Sequence, residues 1–284
     1  MNKAIKTLVA LLPLFITSCY NDDTTVTTNP QQDRVVTINA GITREGSSTT
    51  GSAFANNDKI LITNVTRKNA GLICNSAVFT YDGSSWTSEG TLLWSAGEEN
   101  TFQAVYPSTA SYSSFIVPSD QSTEENFKSA DWMTCEKKVT LNNLTDASPL
   151  DLTFNRKMAM VVVEILNATD VSTLTSLVVD SPSPDNNNNI TFETQDHKIT
   201  AYKDANTGNM FSAIIAPGSK SSGTLLCTLS LSNSTEKSLK LQSDINFEAG
   251  KKYTFQCSLT SQPGSAPTRS ASPDNLTLVS VEPM

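Results

Sequence analysis

From residue 36 onward, apolar side chains recur at every second position, not every third or fourth. Val36, Ile38, Ala40 and Ile42 alternate with Thr37, Asn39 and Gly41, which is the period of a strand with one buried face. Strands are predicted again at 59–65, 72–81, 101–106, 114–117, 138–141, 150–154, 158–166, 176–179, 190–194, 198–202, 210–215, 223–232, 238–241 and 252–259. Turn residues punctuate them: Asn56-Asn57-Asp58, Asp82-Gly83, Pro182-Ser183-Pro184-Asp185, Pro217-Gly218 and Ala249-Gly250. No segment holds a helical apolar stripe over three turns. Many short strands at this spacing predict an all-β chain of the sandwich class. Its length of 284 residues suits two sandwiches better than one. The halves echo each other weakly, Thr101-Phe102-Gln103-Ala104 against Thr254-Phe255-Gln256-Cys257. A boundary near Ala147 to Pro149 gives domains at 34–148 and 149–260.

The two ends differ from this body. Lys3 and Lys6 precede an almost wholly apolar stretch, Thr7 to Ile16, too short to span a bilayer and closed by Thr17-Ser18-Cys19. That order predicts a secretory signal over 1–18, with Cys19 placed to take a diacylglycerol as in bacterial lipoproteins. Residues 19–33 are polar and predict a disordered linker. Asp22-Asp23 within it reads either as a solvated linker or as an acidic export tag. Residues 261–275 are rich in Pro, Ser and Gly and predict a second flexible linker. Leu276, Leu278, Val279 and Val281 then mark one more strand, able to fold back on its own body or to insert elsewhere.

Charge and chemistry-bearing residues exclude much. The net charge is -8 and no basic run tracks phosphates, so nucleic acid is not an expected partner. Cys74, Cys135, Cys227 and Cys257 permit up to two disulfides in an exported chain, or serve as small core residues. With His197 the sole histidine and no Cys-x-x-Cys, neither zinc nor another cofactor is expected. A Ser-His-Asp triad would have to use His197, in a charged turn, and there is no Gly-x-Ser-x-Gly elbow. Glu98-Glu99 and Glu124-Glu125 read as solvated loops, and Asp185 with its run of asparagines as a turn. An enzyme is therefore not expected. Trp86, Trp94 and Trp132 are either a stacking platform for a surface glycan-binding lipoprotein or plugs of the sandwich cores.

Several stretches, in order, are similar to the fimbrillin family, the lipoprotein-derived pilins and minor pilus subunits of Bacteroidales. They are Thr43-Arg44, then Phe54 to Ile60, Phe102-Gln103-Ala104-Val105-Tyr106-Pro107, Asp120-Gln121-Ser122, Ser129-Ala130-Asp131-Trp132-Met133, Leu152 to Ala159, and Phe247 to Phe255. Arg156 stands where many members have His, and the chain closes Pro283-Met284 where many have an aromatic after the Pro. The resemblance implies two tandem transthyretin-like Greek-key sandwiches, export as an outer membrane lipoprotein and cleavage after an Arg, here Arg44. The first strand, with Val36, Ile38, Ala40 and Ile42, is then displaced. The C-terminal strand of the next subunit, carrying Leu276, Leu278, Val279 and Val281, fills the groove. Expected partners are other pilus subunits, with a host or bacterial surface receptor and the lipid-anchored membrane.

Overall fold

The computed structural model describes residues 34–42, 54–95, 99–142, 147–166, 168, 170–184, 189–258 and 275–284. The first half contains β1 (Ile38–Ile42), β2 (Lys59–Asn64), α1 (Val65–Asn69), β3 (Ser76–Tyr81), β4 (Trp86–Ser88), β5 (Glu99–Tyr106), β6 (Phe115–Val117), α2 (Glu124–Ser129), β7 (Met133–Thr140) and β8 (Leu150–Arg156). The second half begins with β9 (Ala159–Leu166), β10 (Leu174–Asp180), β11 (Ile190–Phe192), β12 (Lys198–Thr200), β13 (Tyr202–Lys203) and β14 (Met210–Ile215). It ends with β15 (Gly218–Lys220), β16 (Leu225–Leu231), β17 (Glu236–Leu241), β18 (Ile245–Phe247), β19 (Lys251–Ser258) and β20 (Asn275–Pro283). Among the described residues no helix is long and apolar enough to cross a membrane.

Two large sheets make two tandem sandwiches. The first runs β1-β8-β7-β5-β2-β3-β4 and the second β12-β10-β16-β17-β20-β19-β9-β14-β13. The ends of the second sheet meet, because only Ala201 separates β12 from β13. The alternation read from sequence sets each inner face: Ile60 and Ile62 of β2 are buried while Lys59 is exposed. β9 departs from it, with Val161, Val162 and Val163 all buried. It lies between β14 and β19, and apart from Val162 the second face of the strand, with Met160, Glu164 and Leu166, is only partly buried.

The sheet changes between Arg156 and Ala159, not at 148/149. β8, expected to open the second half, pairs instead with β1 and β7, and its Leu150, Leu152 and Phe154 lie in the first core. A second departure is an arm of the first half, between β5 and β7, that belongs to the second core. Its β6 pairs in parallel with β11, and Phe115, Val117, Ala130 and Trp132 pack among second-half residues. Gln121 fixes the arm: fully buried, its Nε2 donates to the Ile214 carbonyl at 2.9 Å and its Oε1 accepts from the Ile214 N–H at 2.8 Å. One side-chain amide thus satisfies both backbone groups of a strand residue. α1 and α2 were not expected, being too short to show periodicity. Each carries a side-chain N-cap, Asn64 accepting from the Arg67 N–H and Thr123 from the Asn126 N–H.

Candidate functional site

The first terminal strand changes partner along its length. At 34–36 it runs antiparallel to 92–94, with the Val36 N–H donating to the Leu92 carbonyl at 2.8 Å and the Trp94 N–H to the Arg34 carbonyl at 3.0 Å. From Ile38 it turns to β8 in parallel register, Ile38 opposite Leu150 through Ile42 opposite Phe154. The Asn39 amide donates to Asp151 at 2.9 Å. Val36, Ile38 and Ile42 are buried to 2%, 8% and 3% exposure, and Ala40 packs partly buried beside them.

The wall opposite β8 is held by groups outside the strand. Asn100 Oδ1 accepts from the Ser95 N–H at 2.8 Å and from the Asn64 amide at 2.8 Å, and Asn100 Nδ2 donates to the Ser95 carbonyl at 2.8 Å. Asn64 also donates to the Leu93 carbonyl, and buried Arg67 donates to the carbonyls of Trp94 and Ile73. Most of these bonds tie 92–95 to the β2–α1–β5 side. This wall of the β1 seat therefore has anchors besides its bonds to 34–36.

The last strand sits in the second sheet between β17 and β19. Against β19 it is antiparallel from Lys251 opposite Pro283 to Gln256 opposite Thr277, with a register shift between Thr254 and Phe255. Against β17 only Lys240 and Leu241 pair, with Asn275 and Leu276. Of the four residues marked in the sequence, Leu276 is buried and Leu278 packs partly buried on the second core. Val279 and Val281 remain 47% and 49% exposed. The strand's far end meets the junction of the two sheets: the Met284 N–H donates to the Gly250 carbonyl at 2.8 Å, and Arg156 Nη1 to the Met284 backbone oxygen at 3.0 Å. Arg156 is itself gripped by Asp131, Nε to Oδ2 at 2.8 Å, both side chains mostly buried. Burial holds the Asp131 carboxyl above its usual range, against the opposing pull of the Arg156 guanidinium. Sequence reasoning met Arg156 only as a departure from a family pattern. An Asp before a Trp and an Arg after an alternating strand gave no sign that they meet.

Cys19 and Arg44 lie outside the described residues. Trp94 and Trp132 are core plugs, and Trp86 packs partly buried against the first core. Trp94 is 2% exposed and edge-on to Phe102 at 4.8 Å, and Trp132 is 5% exposed and stacked on Phe115. Trp86 packs edge-on to Phe54 at 4.9 Å. Cys74, Cys135, Cys227 and Cys257 are held as thiols, not disulfides. Burial pushes the Cys227 thiol well above its usual range. His197 occupies a turn and stacks on Phe192 at 4.3 Å. Glu124 and Glu125 open α2 rather than a loop, Glu124 pairing with Lys128 one turn on. Glu99 opens β5 and pairs with Lys138, and Asp185 lies outside the described residues. Among the described residues no group of three or more acidic, Cys or His side chains is placed to hold a metal ion.

No curated protein matches the chain. Among solved structures, a candidate cell adhesion protein from Bacteroides ovatus superposes with a TM-score of 0.60 at 13% identity, over 88% of this chain and 98% of its own. Another from Bacteroides uniformis does so with a TM-score of 0.52 at 16% identity, over the same shares. At these identities the likeness is one of fold. A sequence profile described as fimbrillin-like matches residues 43–280, from the residue after β1 into β20. With that match covering most of the residues in both sheets, the chain belongs to the fimbrillin-like family.

Proposed function

We propose that this chain is a fimbrial subunit or surface adhesin that joins its neighbours by exchanging strands. In this reading Cys19 carries lipid through export to the outer membrane surface, and an Arg-specific protease cuts after Arg44. β1 leaves, and the C-terminal strand of the next subunit takes its place. Family membership supports the coarser statement, pilus subunit or adhesin. The observation that carries the finer one is the seat of β1. Three apolar side chains of an edge strand enter the first core, against a wall at 92–95 that is also anchored from β2, α1 and β5.

The energetics favour refilling. A fully buried Val or Ile is worth about 1.5–3 kcal/mol, so losing Val36, Ile38 and Ile42 forfeits about 5–9 kcal/mol. A strand that enters the groove recovers this and pairs the exposed edge of β8, which is β-augmentation. The C-terminal strand matches in part: Leu276-Thr277-Leu278 repeats the spacing of Val36-Thr37-Ile38 and Ser280 falls where Ala40 stands, while Glu282 falls where Ile42 stands. It also carries apolar surface, at Val279 and Val281, that its own domain leaves in water. Such head-to-tail exchange does not close on itself and so builds a fibre. The role is mechanical, with no catalytic step.

The test is the mature N-terminus of surface material, read together with its behaviour on unheated gels. The expected result is a start at Glu45 and a ladder of heat-labile oligomers, both lost in Arg44→Ala. Lipidated Cys19 at the N-terminus of oligomeric material would overturn the processing step.

A further inference from the structure

β20 lies in a slot with two walls and a clamped end, and each part of that slot belongs to another element. We propose that the slot between β17 and β19 is a second strand-binding site, which takes β20 of another copy of this chain in place of the resident one. This site is separate from the groove of β1 and does not depend on cleavage after Arg44.

Four observations point there. The resident strand is lightly stitched on one side, with two paired positions against β17, and its ladder to β19 is broken by a register shift. Its burial is uneven: Leu276 is enclosed, while Val279 and Val281 are about half exposed. The contacts that specify the occupant come from the strand's own sequence. Lys252 Nζ lies 2.8 Å from Glu282, Lys251 stands opposite Pro283, and Leu276 enters the core beside Leu241. Finally, the end clamp stays with the body, because Asp131 holds Arg156 and the Gly250 carbonyl belongs to the β18–β19 turn.

A slot with these features selects a strand with Leu near its start, Glu six positions after that Leu, and a backbone oxygen to meet Arg156. A second copy carries that strand, and swapping like for like conserves every contact in both molecules. Sixteen residues, 259–274, separate β19 from β20, and a chain of that length spans at most about 55 Å.

The experiment uses the full chain and a fluorescent synthetic peptide with the sequence of residues 275–284. One disulfide, Asn39→Cys with Asp151→Cys, locks β1 to β8 across a register pair and closes the first groove. A second, Lys252→Cys with Glu282→Cys, locks β20 to β19. Protein with only the first lock should take up peptide. Adding the second lock should abolish uptake, and reduction should restore it. A peptide with Glu282→Arg should bind about fivefold or more weakly, and Arg156→Ala in the protein should speed release of bound peptide. Circular dichroism of each variant shows that it is folded, and the peptide variant tests the site with the protein unaltered. Uptake that ignores the β20 lock would overturn the proposal. So would failure of β1-locked protein to take up peptide when protein cut after Arg44 does so; that result leaves exchange at β1 standing. Uptake by β1-locked protein with none gained on cutting would do the reverse.

Discussion

Cutting the chain after Arg44 turns β1 from a covalent part of the fold into a ligand, and its retention can then be worked from the seat. Val36, Ile38 and Ile42, at 2%, 8% and 3% exposure, contribute about 5–9 kcal/mol together. Taken alone, that corresponds to a Kd of roughly 10⁻⁴ to 10⁻⁷ M. Backbone bonds to β8 and to 92–94 add about 0.5–1.5 kcal/mol each. Ordering the peptide opposes them at about 1–2 kcal/mol per residue, so the net lies toward the weak end of the range. The nicked strand should therefore be largely seated at concentrations near 10⁻³ M and leave on dilution to about 10⁻⁸ M. Gel filtration of nicked protein over that range, with mass spectrometry of the peak, measures the retained peptide. The melting temperature should fall as the peptide is lost and recover when a synthetic peptide of residues 34–42 is added. A strand that stays bound at the lowest concentration, or leaves with no change in melting, would refute the claim that three side chains set its hold.

Other positions test the rest of the fold. Gln121→Leu leaves the Ile214 N–H and carbonyl buried without their partner, and should cost about 2–5 kcal/mol by denaturant unfolding. Gly218→Ala should cost about 1–3 kcal/mol, since Gly218 has φ 152° and a Cβ there would lie 2.9 Å from the Ser183 carbonyl oxygen. Asp82 accepts N–H bonds from Ser84 and Ser85 in the β3–β4 turn, and with the serine hydroxyls they hold its carboxyl far below the usual range. A depressed folded value stabilises above the unfolded carboxylate range and is lost as pH falls through the folded one. The stability gap between the protein and Asp82→Ala should thus be constant at neutral pH and shrink in strong acid, as followed by urea unfolding.

Local periodicity was legible; partnership was not. The alternation at Val36 to Ile42 marks a strand and names its buried face, and the structure buries Val36, Ile38 and Ile42 as that face requires. Nothing in those residues says that the strand pairs in parallel with one more than a hundred positions away. β4, β15 and β18 span three residues each, too few for a period to show. The expected boundary followed Ala147 to Pro149, a turn-like stretch, yet β8 beyond it completes the first sheet because its Leu150, Leu152 and Phe154 fill that core. The meeting of Asp131 with Arg156 was illegible for the same reason: side chains so far apart in sequence are joined by topology alone.

The arm between β5 and β7 has a consequence for how such molecules can be recombined. Phe115, Val117 and Trp132 are encoded with the first sandwich but line the interior of the second. A chimera joined near 148 or 157 from two diverged parents would set one parent's wedge into the other's cavity. Each half is thus best moved together with its companion, and the unit to transplant is the whole tandem body.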